Sequence, residues 1–243
     1  MKVKLYSIRM SHPARAAGLM LRHKGIEHEI ISLPPGSQRV MLRARGFCGG
    51  TVPALKIDGR RVQGSLDISR VLEELKPEPP LFPADPRRRG EVKDAELWGE
   101  AELQPVPRRI FRWAVTQDRN LRRSLAETAG MPLPPVLATV FLPVSKYFAH
   151  LSGATAETTR ADLAGLPAQF DRVDELIGSG VISGEQVNAA DFQIATSVRV
   201  LMNFPQLRPL IESRPLGRHA SAVVPGFGFE LPVRFPPEWV PAR

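Results

Sequence analysis

An α/β N-terminal domain followed by an all-helical C-terminal domain is predicted by three observations in these 243 residues. Short apolar runs alternate with amphipathic stretches over the first 75 residues, five prolines crowd the eleven positions 76–86, and strand patterns nearly vanish beyond them. No helix or central strand tolerates that proline density, so residues 77–86 read as a linker between a domain at 1–76 and a helical domain at 87–215. Hydrophobic residues at 43% and charged residues at 24% are ordinary for a chain that buries a core.

Element by element, residues 3–7 form a strand, and residues 13–24 carry a helical pattern. Pro13 sits where its missing N–H costs nothing, with Ser11 or His12 available as the cap before it. Residues 27–32 give a second strand and 36–45 a helix; 54–57 and 61–63 are strands joined by an Asp58-Gly59 turn, and 65–75 is a closing helix. The order is βαβ, then αββα. Beyond the linker, residues 87–116 read as one long helix with Leu97, Val106, Ile110 and Trp113 as its apolar positions. Leu163, Leu166, Phe170, Val173 and Ile177 recur at spacings of three and four, with Pro167 signalling a break near that helix's start. Asn188 and Asp191 form a capping box, flanked by Val187 and Phe192 as an apolar staple. Residues 216–243, rich in Pro, Gly and Phe and weakly periodic, read as an irregular surface tail.

Several function classes drop out. The N-terminus has no hydrophobic block with a cleavage site, and the longest apolar stretch, from Met131 to Val144, is cut by four prolines. No membrane partner and a cytoplasmic location are therefore expected. The single cysteine, Cys48, excludes an intrachain disulfide, a Cys-x-x-Cys pair and a thiolate zinc site; beside Gly49-Gly50 it reads as a small buried filler in preference to a reactive thiol. No metal and no resident cofactor are expected. The net charge of +8 is regional, since residues 1–80 hold 14 Lys/Arg against 7 Asp/Glu and the remainder 19 against 18. Arg87-Arg88-Arg89 runs on into Glu91, Asp94, Glu96, Glu100 and Glu102 without interleaved aromatics, so it reads as a solvated helix surface, with no nucleic-acid partner.

Three motifs remain: Ser11-His12-Pro13-Ala14-Arg15 ahead of the first helix, Val52-Pro53 before the third strand, and Gly64-Ser65-Leu66-Asp67-Ile68 at the third helix. In this order, with the Asn188/Asp191 box behind them, the chain from Lys2 to about Leu210 resembles the cytosolic glutathione transferase superfamily, in its serine-type, bacterial-like form. The resemblance implies an α/β thioredoxin-like N-terminal domain plus an all-α C-terminal domain. Ser11 stands where serine-type members carry the catalytic side chain, so its hydroxyl can donate to a bound sulfur that the helix N-terminus also faces; a plain helix cap is the competing role. Thioredoxin's Cys-x-x-Cys has become Ser11-His12-Pro13-Ala14, which rules out disulfide reduction. His12 is the neighbouring acid–base candidate, or a partly exposed histidine at the helix start.

By the same resemblance Pro53 is expected to be cis, Val52 to pair main chain to main chain with the cysteinyl part of glutathione, and the Ser65 N–H to receive the γ-glutamyl carboxylate. Gly64 departs from the family pattern, which usually has an acidic residue or glutamine there; Gln63 lies one position earlier. Asp67 is either a substitute anchor for the ligand's ammonium or a carboxylate suited to a helix N-terminus. Arg39 or Arg43 either holds the glycyl carboxylate or belongs to a basic helix face. Pro105, Arg109, Arg112, Trp113 and Thr116 fall near one stripe that lines the acceptor pocket in the family, with core packing the competing role for Trp113. The function implied is conjugation of a low-molecular-weight thiol, glutathione or another cellular thiol, to a small apolar electrophile, a detoxifying transfer by a homodimer. The alternative is a catalytically silent module of this fold that binds a partner protein or apolar ligands.

Overall fold

The computed structural model describes residues 1–128, 130–226, 231 and 233–241. Among the described residues the N-terminal unit is a four-stranded sheet of order β2-β1-β3-β4, with β1 at Val3–Ser7, β2 at Glu29–Ser32, β3 at Ala54–Ile57 and β4 at Arg60–Gln63. β1 pairs parallel with β2 and antiparallel with β3, and β3 pairs antiparallel with β4. Helix α1 (His12–His23) follows β1, α2 (Gln38–Arg43) follows β2, and α3 (Ser65–Leu75) follows β4. Leu5 and Tyr6 are both buried because the sheet is covered on both faces: Leu5 joins Met20 and Ile68 of α1 and α3, while Tyr6 joins Leu33, Leu42 and Phe47.

The linker is docked. Lys24, 0% exposed, donates to Glu73 Oε2 at 2.5 Å and to the Pro77 carbonyl at 3.0 Å, and the same carboxylate accepts from the Leu81 N–H at 2.9 Å. Leu81 and Phe82 enter a core shared with the second domain, and the Ala189 N–H bonds the Leu81 carbonyl at 2.9 Å. Across the boundary Ser69 Oγ donates to Glu96 Oε1 at 2.7 Å, and Arg70 pairs with the other oxygen.

The region beyond the linker departs from its sequence reading at three places. Instead of one helix over 87–116, α4 (Pro86–Trp98) gives way to a π-turn at Gly99–Leu103 before α5 (Pro105–Gln117). Pro105 and Pro107 offer no N–H to the carbonyls of residues 101 and 103, and the Gln104 N–H reaches back five residues to Gly99 at 2.9 Å. After α6 (Arg119–Thr128), α7 (Pro134–Val140) and α8 (Leu142–Leu151), α9 (Ala156–Gly178) runs through Pro167 without a break. Burial of Leu163, Leu166, Phe170 and Val173 outweighs the hydrogen bond that proline removes. At α10 (Ala189–Leu201) the capping box forms: Asn188 Oδ1 accepts from the Ala190 N–H at 3.0 Å, and the Asn188 N–H donates to Asp191 Oδ2 at 2.7 Å.

The surface tail is overturned as far as it is described. Beyond α11 (Arg208–Glu212), residues Pro215–Val223 form α12, in contact with α11 so closely that a Cβ on Gly217 would lie 2.2 Å from the Ile211 carbonyl oxygen. Leu231, Val233 and Phe235 are buried; the Leu231 N–H bonds the Asn203 carbonyl, and the Gln206 amide closes a pair of hydrogen bonds with the Phe235 backbone. Buried aromatics, not periodicity, anchor this segment. Residues 227–230, 232, 242 and 243 of that tail lie outside the described residues. Cys48 is likewise corrected, being exposed and not buried. No helix among the described residues is long and apolar enough to cross a membrane.

Candidate functional site

The pairing register brings the three motifs to one end of the sheet. Tyr6 sits opposite Ala54, and Ala54 opposite Gln63, so the last turn of chain after β1, the residues before β3 and those after β4 converge. Ser11, Val52-Pro53 and Gly64-Ser65 occupy those three loops.

Ser11 is the N-cap of α1, with extended backbone (φ −79°, ψ 105°) and Pro13 in the first turn behind it. Its Oγ accepts from the Ala14 N–H at 3.3 Å, and among the described residues nothing takes its own proton. The cap thus leaves the hydroxyl able to donate outward, on the positive end of a helix. It lines a cavity of about 200 Å³ with Ser7, Arg9, Arg15, Arg22 and Ser32. The Val52-Pro53 bond is cis, and the β1–β3 register starts at Ala54, which leaves the Val52 amide and carbonyl outside it.

Gly64 has φ +91°, a backbone conformation that a residue with a Cβ occupies only with strain. Its N–H bonds the Pro53 carbonyl at 3.0 Å, joining two of the converging loops. Gln63 is committed elsewhere: its Oε1 accepts from the Gly49 N–H at 2.6 Å and its Nε2 donates to the Thr51 carbonyl at 3.1 Å. Ser65, first residue of α3, is 1% exposed, and its Oγ has no partner among the described residues. Asp67 is exposed in the first turn of α3, and its charge helps to raise the Glu100 carboxyl, behind the larger effect of burial. Arg39 is exposed and rests its stem on Gly50, where a Cβ would lie 2.7 Å from Arg39 Cγ.

His12 is corrected from partly exposed to buried. Burial and the neighbouring Arg108 hold its imidazole neutral, with a pKa of about 3, against a hydrogen bond to the Gln104 backbone; Nε2 has no partner among the described residues. An imidazole held so firmly neutral cannot serve as a proton shuttle near neutral pH.

The structure gives the residues of the acceptor stripe different partners. Arg109 turns to α9 and holds Asp162 through both fork nitrogens, at 2.7 and 2.5 Å. Trp113 packs under the C-terminal segment, 6.1 Å from the Phe235 ring and 5.3 Å from Trp239. With Thr116, Lys146 and His150 it also borders a shallow depression of about 380 Å³. Pro105 opens α5, and Arg112 alone of the named cations bonds toward α8, donating to the Phe148 carbonyl at 3.3 Å. The residues missed are Glu100 and Arg108: the Arg108 charge acts on His12 at the start of α1, and Glu100 feels both Arg108 and Asp67 of α3. Gln104, Arg108 and Arg112, one turn apart, share a face of α5, and that spacing is the signal that links Arg108 to the Gln104 contact with His12.

The family model for the glutathione S-transferase N-terminal domain matches residues 5–80. Maleylacetoacetate isomerase of Mus musculus is 37% identical over 122 residues, 49% of this chain and 56% of that protein, so the chain spans about half the length of the curated relatives it matches. A glutathione S-transferase structure from Rhodospirillum rubrum superposes with a TM-score of 0.55 at 20% identity, covering 98% of this chain and 97% of that one. A beta-etherase structure from Sphingobium sp. strain SYK-6 gives a TM-score of 0.64 at 19% identity, over 92% and 100% of the two chains. At such identities the structural likeness is one of fold.

Proposed function

We propose, on the premise that this chain is a member of the glutathione S-transferase superfamily, that it binds glutathione where the three loops converge and transfers its sulfur to a small electrophile. The observation that carries the reading is Ser11: a hydroxyl on the tip of α1 whose lone pair is used by the Ala14 N–H and whose proton is available to a bound sulfur. A thiolate is the nucleophile, and both the hydroxyl and the helix N-terminus favour the anion over the thiol. Val52 would add the ligand's cysteinyl backbone as an extra strand, and the α3 N-terminus at Ser65 would take its γ-glutamyl carboxylate. Ser65 Oγ, buried without a partner, supports a ligand there. With Gln63 bonded inside the loop, Asp67 is left as the anchor for the ammonium.

In the transfer the sulfur–carbon bond forms as the leaving group departs, or as an activated double bond takes up a proton from solvent. Replacing Ser11 by Ala is expected to lower conjugation with a chromogenic aryl halide about a hundredfold while the chain still binds immobilised glutathione. Absence of thiol binding by the wild type would instead favour a silent module of the same fold. The homodimer belongs to this proposal and is tested by light scattering, at twice the 26.8 kDa chain mass.

A further inference from the structure

We infer that the electrophile accepted by this cleft carries a carboxylate, held by Arg108 and Arg112 on α5; the inference rests on the transfer reading above and narrows its substrate class. Gln104, Arg108 and Arg112 follow one another at single-turn spacing, so their side chains share a face of α5. One end of that row touches the N-terminal domain directly, and the other reaches it through Phe148 of α8. At one end the Gln104 backbone bonds His12, the residue after Ser11, and its side chain accepts from Gln193 Nε2 at 2.8 Å. At the other, Arg112 donates to the Phe148 carbonyl, and the Phe148 ring comes within 3.4 Å of the position a Cβ on Gly36 would occupy, in the loop after β2. Arg108 lies between these two positions on α5, close enough to His12, the residue after Ser11, for its charge to act on the imidazole.

Arg108 is half-buried, yet among the described residues it makes no hydrogen bond and no ion pair. Arg109, one residue on, has the paired carboxylate that Arg108 lacks. The opposite charge that acts on Arg108 is Glu100, and among the described residues Arg112 bonds the Phe148 carbonyl and lies over the Phe148 ring, 5.8 Å from its centroid. Among the described residues no carboxylate stands at hydrogen-bond distance from either guanidinium, Glu100 acting on Arg108 only through its charge. Seating a wholly apolar molecule there would strip their water without supplying an acceptor, whereas one carboxylate accepts from both. The apolar body of the same molecule can lie on Phe148 while its reactive carbon faces the sulfur at Ser11.

The probe pair is para-chloro-meta-nitrobenzoate and its neutral carboxamide. In each, glutathione sulfur bonds the ring carbon that bears chlorine, chloride leaves with the bonding pair, and the thiol proton passes to solvent; the carboxylate is unchanged. With each kcat/KM divided by the uncatalysed rate, the wild type is expected to favour the benzoate about tenfold or more, the worth of a charge-assisted pair. In Arg108→Gln that ratio should fall to near one, chiefly through KM for the benzoate; Arg108→Lys should recover part of it, and Arg109→Gln should retain it. A wild-type ratio near one, or a ratio kept by Arg108→Gln, overturns the inference while leaving the transfer reading intact. Should neither probe react, the transfer reading fails, and calorimetry with the benzoate alone still decides: binding that Arg108→Gln abolishes supports the carboxylate site, and no binding to the wild type refutes it.

Discussion

Along the linker seam, Lys24 and Glu96 are withdrawn from water and each has its partners: Glu73 and the Pro77 carbonyl for one, Ser69 and Arg70 for the other. At the starts of α1 and α3, His12 Nε2 and Ser65 Oγ are buried without a partner among the described residues, and Arg108, whose charge acts on His12, makes no hydrogen bond among them. Both sets lie where the domains meet. A buried polar group left unanswered costs stability, so a cluster of them is retained where something other than stability is served. The seam holds the domains in register; the cleft keeps its polar atoms for a ligand.

Three substitutions test that contrast. The largest effect is expected at Glu73→Ala, which strands the fully buried Lys24 ammonium and should cost about 3–5 kcal/mol in urea unfolding. A loss below about 1 kcal/mol, the range of a surface ion pair, would remove the distinction between seam and surface.

His12 gives a pH-dependent effect of intermediate size. Its folded pKa of about 3 lies below the unfolded value of 6.5, so the unfolded chain binds the proton first. The stability contributed by the neutral imidazole is complete above pH 6.5 and is lost as pH falls from there toward about 3, at no more than about 1.4 kcal/mol per unit. His12→Gln should flatten the slope of urea midpoint against pH in that window. Glu96, pushed up by burial against its Arg70 and Ser69 contacts, acts in the opposite sense and is common to both proteins, so the difference isolates His12. Identical slopes would mean that the imidazole is not desolvated.

The smallest stability effect is expected at Ser65→Ala. Removing a hydroxyl that has no partner among the described residues should change stability by less than about 0.5 kcal/mol, while KM for glutathione rises about threefold or more. A loss as large as that at Glu73 would place Ser65 with the seam.

Much of this was legible in the residues because it is local. The Asn188/Asp191 box, Ser11 ahead of Pro13 and the sheet strands each depend on neighbours within a few positions, and the order of the three motifs fixed which loops would converge. What was hidden depends on distant partners. Arg108 and Arg109 are adjacent and chemically identical, and only Asp162, 53 residues further on than Arg109, decides which is free for the cleft. The stripe Pro105, Arg109, Arg112, Trp113 and Thr116 lies wholly within α5, and it is distant partners, Asp162 for Arg109, the Phe148 carbonyl for Arg112 and the rings of Phe235 and Trp239 for Trp113, that separate its members. The segment after Pro215 lacks period yet docks through Phe235 and Trp239, side chains whose packing site is assembled from α5 and the stretch around Phe204.

Everything turns on whether the Ser11 hydroxyl serves a sulfur anion. The direct measurement is the ultraviolet thiolate absorbance of enzyme-bound glutathione, titrated with pH in the wild type and in Ser11→Ala. The account predicts that wild-type protein holds the thiolate at lower pH than free glutathione does, by about one to two units, and that Ser11→Ala gives back most of that shift with glutathione still bound. Superimposable titrations of the two proteins, or a bound thiol that ionises no more readily than in water, would contradict it.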